Sequence, residues 1–275
     1  MTKMIGTSSR SRFGATLAGV AAVAAMAVGA FFAFPAQVRA EGPQPELQKI
    51  DWSFQGPFGT YDRDTLRRGY KVYKEVCSTC HSMKFMHFRN LAEPGGPEFT
   101  EAQVKAIAAE YKVQDGPDST GEMFERDGKP SDPFPSPYPN EEAAAASLGA
   151  APPDLSLVAK AREGGADYIY SLLTGYTDAP AGVTVPAGGH YNPVFVAGNG
   201  IIAMPAPLSD GVVDFDDGTP NTLHQEAHDV SEFLMWAAEP KLEQRHRLGF
   251  QVFIYLLALA GLLYFVTRKV WSDQH

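Results

Sequence analysis

Thiols are scarce in this chain: 275 residues contain two cysteines, both within Cys77-Ser78-Thr79-Cys80-His81. With no second cysteine pair, a multi-bridge disulfide scaffold and a paired-cysteine zinc module are excluded. Positive charge is also short. Lys and Arg number 23 against 32 Asp and Glu, a net charge of −9. Residues 1–40 hold four basic side chains (Lys3, Arg10, Arg12, Arg39) and no acid, so the charge from Glu41 onward is −13. Such a surface repels nucleic acid and suits a basic protein partner, with steering that weakens as salt rises. Long periodic stretches are missing between residues 114 and 220, where Gly and Pro cluster, so extended irregular loops are expected there.

What is present centres on the cysteine pair. A CxxC followed directly by His reads as covalent attachment of c-type haem. Both thiols must reach the vinyl groups on one edge of a porphyrin while the adjacent imidazole meets the iron, and one short helical turn satisfies all three demands. A zinc site would require more ligands. A thiol redox pair would sit near a βαβ pattern, which the sequence lacks.

Residues 1–40 run from a basic start through an apolar stretch, Ala15 to Phe34, to Val38-Arg39-Ala40, and read as a secretory signal cleaved after Ala40, with an uncleaved anchor as the alternative. Either way, residues 41–246 form an exported haem domain. From Glu41 to Tyr61 an extended, aromatic-rich segment lies on the core. Leu66, Tyr70, Tyr73 and Val76 then recur at helical spacing after a cap at Asp62 or Asp64, leading into the motif. Thr100 with Gln103 and Thr222 with Gln225 form capping-box patterns ahead of two further helices, the second ending at Pro240 and able to pack across the helix before the motif. Residues 114–140 read as a surface loop with aromatic anchors. Glu141 to Leu148 reads as a helix, Asp154 as the cap of another through Ala161, and Tyr168 to Leu173 as a third closing at Gly175. Tyr176 to Asp217 is irregular.

Leu248 to Thr267 carries no charged side chain before Arg268-Lys269. About 20 apolar residues span a bilayer, so residues 247–268 are expected to form a transmembrane helix and 269–275 a cytoplasmic tail. Basic residues flank both ends, and the signal, rather than the positive-inside rule, sets the orientation.

An iron held by His81 raises the question of its other axial position. Methionine there closes the site and raises the potential. Met83 and Met86 lie too near His81, Met235 falls in a packing helix, and Met123 sits among Glu122, Glu125, Arg126 and Asp127. Met204, in Ile201-Ile202-Ala203-Met204-Pro205-Ala206-Pro207, has the stiffest apolar setting, with His190 in a Gly-rich loop as the rival.

Several stretches together resemble the cytochrome c1 family, the subunit of bacterial and mitochondrial cytochrome bc1 complexes. They are Trp52-Ser53-Phe54, Gly56-Pro57-Phe58-Gly59, Arg67-Arg68-Gly69, Tyr73-Lys74-Glu75-Val76 into the haem motif, Pro152-Pro153-Asp154-Leu155-Ser156, Ala161-Arg162, Asp167-Tyr168, Leu172 to Tyr176, Phe215 to Pro220 and Trp236 to Pro240. The resemblance covers nearly all of residues 50–270. It implies that Met204 is the sixth ligand, that Pro152, Pro153, Arg162 and Tyr168 contact the haem, and that Arg162 lies near a propionate. One departure stands out: Gly182 to Gly200 carries residues beyond the shorter loop of relatives, and with no spare cysteine it must be held by packing or hydrogen bonds.

The expected fold is therefore all-α, a loop-rich class I cytochrome c domain with one C-terminal transmembrane helix. The resemblance implies one covalently bound haem c that takes electrons from a Rieske iron–sulfur protein to a soluble basic cytochrome c. It further implies assembly with cytochrome b in the lipid of a bacterial inner membrane, with the haem domain periplasmic. No bond-making catalysis is expected of this chain alone. The alternatives are an independent membrane-anchored shuttle and, from another class, a haem enzyme or gas sensor with an open iron position.

Overall fold

The first helix after the N-terminal segment, α1 (Arg63–Glu75), starts where Asp62 accepts a hydrogen bond from the Thr65 amide. In the computed structural model, which describes residues 46–272, its buried face of Leu66, Tyr70, Val72 and Tyr73 leads directly to Cys77. The other helices are α2 (Glu101–Ala109), α3 (Glu141–Leu148), α4 (Val158–Ala161), α5 (Ala166–Thr174), α6 (Leu223–Ala238) and α7 (Leu242–Ser272). The chain is mostly helical with few short strands, as expected. The signal reading of residues 1–40 lies outside the described residues.

The core forms where α1 crosses α6. Gly69 is the point of closest approach: a Cβ there would lie 2.0 Å from the Asp229 carbonyl oxygen and 2.7 Å from Phe233 Cβ. Around this contact Tyr70 and Tyr73 each place their rings 5.8 Å from Phe233. Phe134, the aromatic anchor of the long loop, stacks on Tyr73 at 5.8 Å and meets Phe88 at 5.0 Å.

Buried acids fasten the irregular segments to this crossing. Asp229, fully buried, accepts from Arg68 Nε at 2.6 Å, and Arg68 also reaches Asp217 at 2.8 Å, tying the Phe215–Pro220 loop to α1. Asp167 accepts from Trp52 Nε1 at 2.8 Å, Lys49 Nζ at 3.0 Å and the Ile50 amide at 3.3 Å. Glu232, also buried, accepts from the Asp62 amide at 3.0 Å and from the Ser53 hydroxyl. Each satisfies donors that burial would otherwise strand. The residues quoted as separate motifs, Trp52-Ser53 and Asp167-Tyr168, are thus two sides of one contact.

Three local readings differ. Residues 114–140 are not loop alone: β1 (Lys112–Asp115) pairs antiparallel with β2 (Phe124–Asp127). Lys112–Asp127 and Gln114–Glu125 face each other across the pair. Stabilisation by cross-strand polar pairs leaves no apolar alternation to read. Asp154 does not cap α4, whose preceding residue, Leu157, offers no side-chain cap; its carboxylate serves another segment, described below. At α6 the Thr222 hydroxyl accepts from the Gln225 amide, but the Gln225 side chain turns to Asp229 instead of completing the box.

The segment before Met204 is held by pairing. β3 (His190–Tyr191) lies antiparallel to β4 (Ile201–Ile202), and fully buried Asn192 donates to the Leu172 carbonyl at 2.7 Å while its amide N–H reaches Gly200 O at 2.7 Å. Hydrogen bonds brace this loop where no thiol is spare.

Helix α7, 31 residues and about 46 Å long by its rise per residue, is apolar enough to cross a membrane.

Candidate functional site

The haem motif is shaped by its own intervening residues. Cys77–Thr79 forms a single 3-10 turn after α1. Ser78 Oγ donates to Lys74 O and Thr79 Oγ1 to Val76 O, both at 2.7 Å, so the two hydroxyls satisfy carbonyls at the helix end. The Cys80 and His81 amides both return to Cys77 O, at 3.2 and 2.9 Å. The two thiols and the imidazole therefore leave one compact turn. Burial, reinforced by neighbouring Cys80, pushes the Cys77 thiol up to about 12. A redox CxxC needs the opposite shift toward thiolate.

His81 is aimed from a distance. Its Nδ1 lies 2.8 Å from Pro153 O. Nδ1–H donating to that carbonyl leaves Nε2 as the free lone pair, the arrangement that fixes the tautomer of a metal-ligating histidine. Burial lowers the imidazole pKa, which favours the neutral form; the Pro153 carbonyl and Asp154 oppose it more weakly.

The same two segments are laced together beyond that bond. Asp154 Oδ2 accepts from Ser82 Oγ at 2.8 Å and the Lys84 amide at 2.9 Å, the Leu155 amide donates to Ser82 O at 2.8 Å, and the Phe85 amide donates to Ser156 Oγ at 3.1 Å. Pro152 and Asp154 line a recess of about 90 Å³ with Cys80. Asp154, Ser82 and Ser156 are site residues that pattern reading missed, since an Asp before a helix has the same sequence whether it caps that helix or clasps another segment. Asp154→Ala leaves Ser82 Oγ and the Lys84 and Ser156 amides without their acceptor, and should lower the unfolding free energy of the haem-loaded protein by about 2 kcal/mol. Asp154→Asn, which keeps one acceptor oxygen, should lose less in the same chemical denaturation.

A second group gathers around Met204. Tyr176 donates its hydroxyl to Met204 O at 3.1 Å. The Tyr176 pKa is raised by burial and by Tyr168; the Tyr168 pKa is raised by burial and drawn back by Arg162. Arg162, Tyr168, Tyr176 and Met204 are thus electrostatic or hydrogen-bonded neighbours, with Tyr168 buried, Met204 half-buried and Arg162 exposed. Pro153 and Arg162 are joined through Asp154–Ala161, which carries α4.

The other candidates are placed elsewhere. Met83 and Met86 are core residues, and Met123 is 60% exposed beside β2. His190 is exposed on β3. His224 and His228, spaced as HxxxH, are engaged separately: His224 Nδ1 with the Tyr170 hydroxyl at 2.8 Å, and His228 stacked 4.9 Å from Trp52. Among the described residues no cluster of three or more His, Cys, Asp or Glu side chains could cage a metal ion. Two thiols beside one imidazole with a free Nε2 would suit a haem.

Residues 52–274 match the model of the Cytochrome C1 family. This chain belongs to the cytochrome c1 family. It is 50% identical over 275 residues to "Cytochrome b/c1" of Bradyrhizobium diazoefficiens, covering 92% of this chain and 40% of that protein's length. It is 49% identical over 229 residues to "Cytochrome c1-2, heme protein, mitochondrial" of Solanum tuberosum, 82% of this chain and 86% of the relative. Against "Cytochrome c1, heme protein, mitochondrial" of Saccharomyces cerevisiae it is 49% identical over 223 residues, 80% and 71% of the two chains. The second and third of these relatives are named as haem proteins, and among its described residues this chain has one C-terminal helix able to span a membrane.

Proposed function

We propose that the chain is a membrane-anchored mono-haem carrier. It accepts electrons from a Rieske iron–sulfur protein and delivers them to a soluble basic cytochrome c, within a ubiquinol–cytochrome c reductase that also contains cytochrome b. The observation that carries this reading is the His81 imidazole, set one residue beyond the thiol pair and held through Nδ1 by the Pro153 carbonyl. Haem supplies a one-electron iron couple. Cys77 and Cys80 would tether it through their thiols, His81 and Met204 would bind its iron, and Pro152, Pro153 and Tyr168 would pack against it. Arg162 pairs with a propionate, for which a guanidinium offers a bidentate donor.

In this reading residues 1–40 are a signal, 41–246 the periplasmic domain, 247–268 the span through the bacterial inner membrane and 269–275 the cytoplasmic tail. Copurification with cytochrome b in mild detergent, together with a six-coordinate His/Met absorption spectrum, is the expected result. A haem chain that purifies alone, or whose reduced native form binds carbon monoxide, would refute the assignment.

The charge of −13 from Glu41 onward supports a basic acceptor. Reduction of a soluble basic cytochrome c by the intact complex should slow by about tenfold or more as ionic strength rises and steering is screened. Stopped-flow rates that ignore salt would remove the steering argument.

A further inference from the structure

Phe58 is 72% exposed, the most exposed of the large apolar side chains in the described residues, and it does not stand in a floppy segment. Its loop is stitched by Gln55 N to Trp52 O at 3.1 Å, Gly59 N to Gly56 O at 3.3 Å and Thr60 N to Ser53 O at 3.1 Å. Trp52 and Phe54, both buried, nail one arm to the core. Gly56 has φ +79°, and a Cβ at Gly59 would lie 2.2 Å from Gln55 O, so the turn needs both glycines. The fold has tightened a loop to hold a phenyl ring outward.

What the ring faces is set by α7. The Phe58 ring lies 5.6 Å from that of Phe250 in an edge contact, and His246 Nδ1 lies 3.2 Å from Gly59 O. His246 and Phe250 are one turn apart on the same helix face, so the loop is fastened to α7 along that face. Phe250 is two residues, about 3 Å of rise, inside the first residue of the uncharged run, Leu248. Arg245 and Arg247, both exposed, mark the polar side of the boundary.

We infer that the Gly56-Pro57-Phe58-Gly59 turn is a second, interfacial membrane anchor, seating Phe58 at the headgroup–acyl boundary beside the entry of α7. Resting on the reading of α7 as a membrane span, it adds that the haem domain is pinned to the bilayer at two points. Lipid is the occupant because the exposed ring continues the apolar surface of the helix at matching depth, where a rigid aromatic is favoured. Three residues, Glu239, Pro240 and Lys241, separate α6 from α7, and Glu243 on the first turn of α7 is already clasped by Arg63; a second point in the bilayer adds control of the domain's tilt.

The test replaces Phe58 by photoreactive p-benzoylphenylalanine in the full haem-loaded chain, in its native membrane and complex. Irradiation should give adducts shifted by the mass of a phospholipid. Adducts to another polypeptide, or none because the probe faces water, would overturn the inference. The same probe at Pro57, also exposed, repeats the measurement with the Phe58 ring intact. A parallel scan of Tyr255, Leu256, Leu257 and Ala258 covers a helical turn of α7. Lipid adducts there without one at 57 or 58 would sink the anchor alone, and no lipid adduct anywhere would refute the span and the anchor with it.

Discussion

Met204→Leu is expected to lower the haem midpoint potential by roughly 0.2 V, a quarter of the range of about 0.8 V that axial ligation spans. Leucine preserves the bulk of the side chain but has no lone pair to offer iron, and thioether ligation is what raises the potential of a His-ligated haem. The substitution should leave the local backbone in place, because Tyr176 holds the Met204 carbonyl rather than the side chain. The reduced variant should also gain carbon monoxide binding, reporting an opened coordination position. Potentiometric titration checks the first expectation and a difference spectrum the second. An unchanged potential would assign the ligand to another residue, with exposed His190 the next to mutate.

Gly69→Ala should be the most damaging one-carbon change in the domain. Two effects compete. Alanine gains about 1 kcal/mol over glycine in a helix interior. Against that, its methyl would sit 2.0 Å from the Asp229 carbonyl oxygen and 2.7 Å from Phe233 Cβ, and the nearest atom is backbone that cannot swing away. Overpacking of well-packed cores costs about 1–3 kcal/mol and sometimes more. Forcing α1 and α6 apart also loosens Arg68 from buried Asp229. The net expectation is a loss of about 2–3 kcal/mol in stability, seen as a lower denaturation midpoint and a lower yield of haem-loaded protein. A midpoint within error of the parent would mean that the helices separate freely at their crossing.

Short-range chemistry was legible in the sequence and long-range partnership was not. The Asp62 cap, the Thr100–Gln103 box, the α6 stop before Pro240 and the apolar run of α7 depend on residues three to twenty positions apart, and all four stand in the structure. Nothing local says that Asp167 will receive Trp52 or that Asp229 will receive Arg68, because a buried carboxylate and a solvated one have the same letter. The β1–β2 hairpin escaped because paired charges, not alternating apolar residues, hold it. At the site, spacing alone put forward Cys77, Cys80 and His81, and family resemblance added Arg162 and Tyr168 as candidates. Neither found Tyr176's bond to Met204 or Asp154's clasp.

That clasp bears on the order in which the molecule is assembled. The imidazole and the carbonyl that aims it are 72 positions apart in the chain. Between them lie α2, the hairpin and α3, each built from local hydrogen bonds that can form without the clasp. Closing so long a loop is entropically mild but kinetically late, since distant contacts form after local ones. The bonds that turn Cys77 to His81 are local, whereas the bond that aims the imidazole needs Pro153 in place. A correctly pointed His81 therefore reports that the two distant segments have met.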